Sequence, residues 1–311
     1  MIGIRSIASY IPQGRIDNIA QARSFGRDED FVINKLGTTT LSVKDEDQET
    51  SDLCVQAVEN LLQKNPELKK EDIQALVVVT QNGDAEALPH TSAIAQHKLG
   101  LPTTTACFDI SLGCSGYVYG IYVLQGFMQA AGLKNAVLVT ADPYSKIMDR
   151  EDRMTTLLFG DAATATWLTN DKPVWQLGAS NFGGDGGGAE HLKVENGSFF
   201  MNGRQVFNFA SVKIIPDMQK ALDKAGLSFD DIQAICLHQG SGAIVDAIAK
   251  RLGDEHGSKV IKDMFGAGNT VSSSIPMLLE HYGDNPEWKN ILLSGFGVGL
   301  SWGSAVLQRI N

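Results

Sequence analysis

The chain has 311 residues, 43% of them hydrophobic and 20% charged, which suits a soluble globular protein of one large or two ordinary domains. Acidic residues outnumber basic ones by 36 to 26, a formal charge of −10 and the wrong sign for a general nucleic-acid binder. No apolar run approaches the roughly 18 residues of a membrane span. Four cysteines without a CxxC or Cys/His cluster suggest neither a disulfide scaffold nor a metal site.

The opening segment, MIGIRSIASY, alternates like a strand and lacks the apolar core of a signal peptide, so a cytoplasmic protein is expected. SDLCVQAVENLLQ has helical spacing, with Ser51 as N-cap, Asp52 in the first turn and Pro66 beyond its end. DIQALVVVT, TTACFDI and NAVLVTA are short β-rich runs of the kind that form buried strands. Between the last two, a helix starting at Cys114 and closed by Gly132 carries Tyr117, Val118, Ile121, Tyr122, Leu124, Phe127 and Met128. Apolar residues surround most of it, which predicts a central buried helix. Residues 170–208, with GGDGGG at 183–188, read as a flexible connection. No GxxxxGK[ST] motif supports a phosphate loop there.

The second half repeats the first. EDIQAL at 71–76 returns as DDIQAI at 230–235, KNAVLV at 134–139 as KNILLS at 289–294, and FGDAATATWL at 159–168 as WGSAVLQRI at 302–310. Three matches in one order, at a spacing too long for a solenoid, indicate two related α/β lobes, residues 1–169 and 209–311.

Three residues stand where chemistry is plausible. Cys114 follows a strand and begins a helix, where unpaired N–H groups stabilise a thiolate, and Gly113, Ser115 and Gly116 leave room for a substrate. A buried structural thiol is the competing reading. His238 ends the strand AICL and opens onto Gln239, Gly240, Ser241 and Gly242; strand ends of this kind form ligand sites in α/β sheets. Asn269 lies in GAGNTVSSSIP, a polar segment suited to presenting an amide. Spacing alone does not bring the three together. Cys54, Cys107 and Cys236 read as structural, and His90, His97, His191, His256 and His281 as loop or surface residues.

Over nearly its whole length the sequence resembles the β-ketoacyl-ACP synthase III branch of the thiolase-fold condensing enzymes. The resemblance rests on DISLGCSGY around Cys114, HQGS at His238, GNTVSSSIP at Asn269, the C-terminal GFGVGLSWGSAVL, FGDAATA, MNGRQVF and DREDRM. It implies two duplicated lobes in α-β-α-β-α layers. It implies a Cys114 that takes an acyl group from a thioester, and a His238 and Asn269 that serve decarboxylative condensation with a malonyl-type thioester. Backbone N–H groups of Cys114 and Val298 would form the oxyanion hole. Acyl-CoA and an acyl carrier protein become the implied partners, with a homodimer, no metal and no cofactor beyond the thioester substrates, and no nucleic acid or membrane.

Departures from the family pattern touch substrate binding. Ser241 replaces an asparagine, and Ala243 an arginine that helps dock the carrier. Phe31 and Lys35 stand where a tryptophan and an arginine often hold the coenzyme A adenine, while Arg153 matches a second arginine of that site. Arg204 replaces an asparagine in MNGR. Leu88 stands where a phenylalanine commonly closes the acyl pocket across the dimer, which implies a roomier pocket and medium-length or branched donors. A pathway-specific member is expected rather than a housekeeping initiator. Two other readings stay open: acyl transfer to an oxygen, nitrogen or sulfur acceptor, and a non-catalytic partner subunit of a heterodimer.

Overall fold

The computed structural model describes residues 1–310. The first lobe opens on β1 (Gly3–Tyr10), β2 (Gly14–Asp17), α1 (Asn18–Ser24), α2 (Glu29–Phe31) and β3 (Thr40–Val43). It continues through α3 (Thr50–Lys64), β4 (Ala75–Val79), α4 (Thr91–Leu99), β5 (Ala106–Ile110), α5 (Gly116–Ala131), β6 (Asn135–Ala141) and β7 (Ala163–Thr169). Then follow β8 (Trp175–Gly184), the hairpin β9 (Leu192–Glu195) and β10 (Ser198–Met201), α6 (Gly203–Ala225), β11 (Ala234–Leu237) and α7 (Gly242–Gly257). The chain closes with β12 (Val260–Ile261), α8 (Ser274–Tyr282), β13 (Asn290–Gly297) and β14 (Ser301–Arg309).

The duplication is visible in the topology. The first lobe orders its strands β5-β4-β6-β7-β1 and the second β12-β11-β13-β14-β8, the same arrangement in both. In each, three parallel strands are followed by one antiparallel partner. The two half-sheets are hydrogen-bonded edge to edge through β1 and β8, where Gly3 pairs with Gln176 and Ile4 with Trp175.

Layering follows from which helix faces are apolar. On α5, Tyr117, Val118, Ile121, Leu124 and Met128 are fully buried, and the helix contacts β4 and β6 on one side and β13 and β14 on the other. A helix that is apolar nearly all round has to be covered on two faces, so α5 lies between the sheets. Beside it α8 touches β1, β7 and β11. The outer faces are covered by α3 and α4 on the first lobe and by α6 and α7 on the second. This is the five-layer α-β-α-β-α thiolase-like arrangement.

Local details differ from the sequence reading. The N-cap of α3 is Glu49, whose N–H donates to Asp52 in a capping box, while Ser51 is already helical and its hydroxyl donates to Asp84 at 2.6 Å. Helix α5 begins at Gly116, two residues after Cys114. Residues 170–208 are not a bare linker, because they supply β8 to the main sheet, where eight residues pair with β14. The glycines at 183 and 184 end that strand, and Gly186–His191 forms a 3-10 turn. Cys54, Cys107 and Cys236 lie in α3, β5 and β11; Cys54 and Cys236 are fully buried and Cys107 is half-buried.

Candidate active site

Each lobe contributes the end of its own sheet to one cavity. In the first lobe β5 runs out at Ile110 and the chain turns through Cys114 into α5. Ser115 N-caps the helix by position, and its hydroxyl lies 2.6 Å from that of Ser301 on β14, which ties the Cys114 turn to the second lobe. On the other side the β13–β14 turn reaches over the sulfur. A Cβ at Gly297 would stand 2.7 Å from the Cys114 Cβ and 2.8 Å from its Sγ, so only glycine leaves the sulfur in place.

His238 directly continues β11, and its N–H donates to the Ser294 carbonyl at 2.9 Å, one step beyond the parallel ladder. Its Nδ1 lies 2.9 Å from the Ser274 hydroxyl at the start of α8. Nε2 faces Gly240 on the cavity wall, and the Phe296 ring packs edge-on at 5.6 Å.

Asn269 is clamped between lobes. Its N–H donates to the Leu158 carbonyl at 2.9 Å, and its own carbonyl receives the Gly160 N–H at 3.1 Å. The side-chain Oδ1 accepts the Val271 N–H at 2.9 Å, which holds Val271 at φ 53, a left-handed conformation costly for a β-branched residue. Nδ2 donates to the Gly240 carbonyl at 3.3 Å and keeps its second hydrogen for another acceptor.

Cys114, His238 and Asn269 thus line one cavity of about 230 Å³. All three are nearly buried, and the remaining walls are mainly apolar, including Leu158, Phe159, Leu192, Val206 and Phe296. Phe31, Lys35 and Arg153 also line it, and the Arg27 guanidinium covers the Phe31 ring at 5.0 Å. Ser241 lines it too and N-caps α7, accepting the Ile244 N–H at 3.3 Å. Arg204 is exposed in the first turn of α6, next to lining residue Gly203 but not itself on the wall. Leu88 is 84% exposed and outside the cavity. His90, His97, His191, His256 and His281 are exposed or half-buried and line no part of it.

Burial dominates the electrostatics. It pushes the Cys114 thiol up to about 12, with the Asp142 carboxyl adding to the rise. The backbone N–H groups of Cys114 and Val298 bear on the sulfur and pull the other way, but less. Desolvation thus opposes the thiolate that the helix-end donors favour, and of the two it is the larger effect. Burial likewise lowers His238 to about 4, against the Val271 carbonyl, so the imidazole is neutral at pH 7.

Sequence reasoning missed Ser274 and Asp142. Ser274 lay within the segment quoted for Asn269, but nothing in the sequence paired it with His238. Among the described residues, Asp230, Glu255 and His256 bring ligand-type atoms within 4.8 Å of one another, but on the surface and off the cavity wall. No described helix is long and apolar enough to cross a membrane.

The chain matches the family model for 3-oxoacyl-[acyl-carrier-protein (ACP)] synthase III over residues 108–198, and that for its C-terminal part over residues 222–309. It is 34% identical over 317 residues to a β-ketoacyl-[acyl-carrier-protein] synthase III of Staphylococcus haemolyticus, covering 99% of this chain and 98% of that one. The crystal structure of the Thermus thermophilus β-ketoacyl-[acyl-carrier-protein] synthase III superposes with a TM-score of 0.90 at 31% identity, over 98% of each chain. The priming β-ketosynthase of the R1128 polyketide biosynthetic pathway superposes at 0.88 with 26% identity, over 100% of this chain and 97% of that one.

Proposed function

The chain belongs to the 3-oxoacyl-[acyl-carrier-protein] synthase III family, and from that premise we propose how its own residues carry a decarboxylative condensation of acyl thioesters. The observation that carries this reading is the convergence of Cys114, His238 and Asn269, from two lobes, on one largely apolar cavity.

In the first half-reaction the Cys114 sulfur attacks the carbonyl of an acyl thioester. A new S–C bond forms, the donor's S–C bond breaks, and the thiol proton leaves on the donor thiol. Backbone N–H groups of Cys114 and Val298 hold the oxyanion that develops. In the second, a malonyl-type thioester loses its carboxylate as carbon dioxide, and the freed electron pair builds an enolate. Nε2–H of His238 and the free Nδ2–H of Asn269 donate to that oxygen. The enolate carbon attacks the acyl carbonyl, a C–C bond forms, and Cys114 departs as thiolate and is reprotonated.

This division of labour requires the neutral His238 proton on Nε2. That tautomer is set if the Ser274 hydroxyl, which accepts the Gln239 N–H at 3.3 Å, donates to Nδ1 at 2.9 Å rather than to the Val271 carbonyl at 3.0 Å.

We assign Phe31, Lys35 and Arg153 to the thioester's carrier arm, with Arg204 beside the same wall, and Leu88 to a neighbouring subunit's acyl pocket in a cytoplasmic homodimer. Acyl-CoA, and an acyl carrier protein docking without an arginine at Ala243, are the proposed partners. These departures favour a pathway-specific role.

The test is intact-mass analysis with a panel of acyl-CoAs, followed by malonyl-CoA labelled in the departing carboxylate. A mass increase on Cys114 and labelled carbon dioxide dependent on both substrates are expected. Acylation without carbon dioxide would point to transfer onto an oxygen, nitrogen or sulfur acceptor; no acylation would point to a partner subunit.

A further inference from the structure

Asn269 sits in a loop whose own backbone does not favour the shape it holds. Phe265, Gly266, Gly268 and Val271 take positive φ, at 52, 61, 88 and 53. Left-handed residues so closely spaced build no repeating ladder, and Phe265 and Val271 carry side chains that disfavour the conformation. Bonds from other segments have to impose it.

Those bonds form a junction of three strips. Asn269 bridges Phe159 in parallel, through its backbone bonds to Leu158 and Gly160. Strand β3 joins both strips. Thr40 and Ser42 alternate on it with Leu41, which is fully buried. The Thr40 hydroxyl donates to the Gly266 carbonyl at 2.8 Å. The Ser42 N–H donates to the Ala267 carbonyl at 3.1 Å, and the Ser42 carbonyl receives the Asp161 N–H at 3.0 Å. The Ser42 hydroxyl donates to the Asp161 carbonyl at 2.5 Å, with the Ala267 carbonyl 3.3 Å away. Ser42, 2% exposed, is thus bonded to the strip on either side of the Asn269 bridge.

The junction has no slack. A Cβ at Gly160 would overlap the Ala267 carbonyl oxygen and stand 3.0 Å from the Ser42 Oγ. One at Gly268 would lie 2.5 Å from the Leu41 Cδ2 and 2.9 Å from the Leu158 carbonyl oxygen. Buried Asn18 holds the far end, its Nδ2 donating to the carbonyls of Leu157 at 3.0 Å and Thr38 at 3.1 Å. The Cys114 turn is tied to Ser301 instead.

We infer that Ser42, with Thr40, is a positioning residue for the condensation step. Through Ala267, Asp161 and Gly266 the pair fixes where the Asn269 amide meets the enolate oxygen, a placement to which transition-state stabilisation is sensitive. The inference rests on the condensing-enzyme reading above and extends its machinery to a strand outside the cavity.

The experiment takes two single-turnover rates on each intact protein. One is acylation of Cys114 by butyryl-CoA or hexanoyl-CoA, whichever loads faster, read by intact mass. The other is release of labelled carbon dioxide from malonyl-CoA by the acylated enzyme. Their ratio cancels a loss of folded protein. Ser42→Ala should lower the condensation-to-acylation ratio by about 3- to 10-fold, the worth of one hydrogen bond. In an Asn269→Ala background the same substitution should change it by less than about twofold, because the group it positions is gone. Should Ser42→Ala fail to fold, Thr40→Val goes through the same cycle with the same expectation. An unchanged ratio, or an equal drop in both backgrounds, would overturn this inference alone. A wild type that is not acylated, or that is acylated and releases no carbon dioxide, would overturn the condensing reading and this inference with it.

Discussion

The Nδ1 of His238 and the hydroxyl of Ser274 lie 2.9 Å apart, joining the end of β11 to the first residue of α8. Ser274 also sits 3.0 Å from the Val271 carbonyl, so its single hydrogen has two acceptors to choose between. Only donation to Nδ1 leaves Nε2 of a neutral ring as a donor toward substrate. Ser274→Ala should therefore slow carbon dioxide release by about tenfold while Cys114 still acylates. Ser274→Thr, which keeps the hydroxyl, should recover most of the rate. Equal slowing of both half-reactions would show a general structural role.

Cys114→Ala should retain the fold and lose all covalent acylation, checked by circular dichroism and intact mass. With the thiol pushed up to about 12, wild-type alkylation by iodoacetamide should be slow at pH 7 and keep rising through pH 10 without a plateau. A plateau near pH 7 would place a thiolate in the resting enzyme.

On the proposed mechanism, in which their donors serve the enolate of the second substrate, His238→Ala and Asn269→Ala should each cut condensation by about 10²–10³ while slowing acylation far less. Presteady-state measurement of the two half-reactions separates these effects. Comparable losses in both would make the pair activators of Cys114.

Gly297→Ala should abolish acylation without unfolding the protein. The added Cβ would need the space 2.7–2.8 Å from the Cys114 side chain, forcing the sulfur or the β13–β14 turn to move. Thermal unfolding and acylation measured on one preparation test this.

Asp142 should leave a signature in the pH dependence of stability. Its folded-state pKa, raised by burial from 3.8 to about 7, means that the native protein holds a proton the unfolded chain has lost across that window. The associated stability is present below pH 4 and is lost as pH rises through 7. The unfolding midpoint of wild type relative to Asp142→Asn should therefore fall between pH 4 and pH 8. His238 titrates with the opposite sign but is common to both proteins and cancels in the difference.

The sequence by itself carried the duplication, because EDIQAL and DDIQAI open equivalent strands and buried strands preserve their apolar pattern. It also carried the central place of α5, whose Tyr117, Ile121 and Leu124 leave no polar face broad enough for solvent. The motifs around Cys114, His238 and Asn269 marked three candidates, since such segments are read locally. What brings them together is not local. Asn269 is placed by backbone bonds to Leu158 and Gly160, more than a hundred residues away. The sulfur's surroundings divide in the same way: a helix start is legible in sequence, whereas the burial that opposes it depends on how the second lobe closes over Cys114. Tyr144 follows a strand like any loop residue, and only the folded chain packs it against Phe159, which it stacks on, and Phe199, which it meets edge-on, from segments forty residues apart. Periodicity and capping act within a few residues, whereas desolvation and side-chain packing are summed over neighbours that only the folded chain selects.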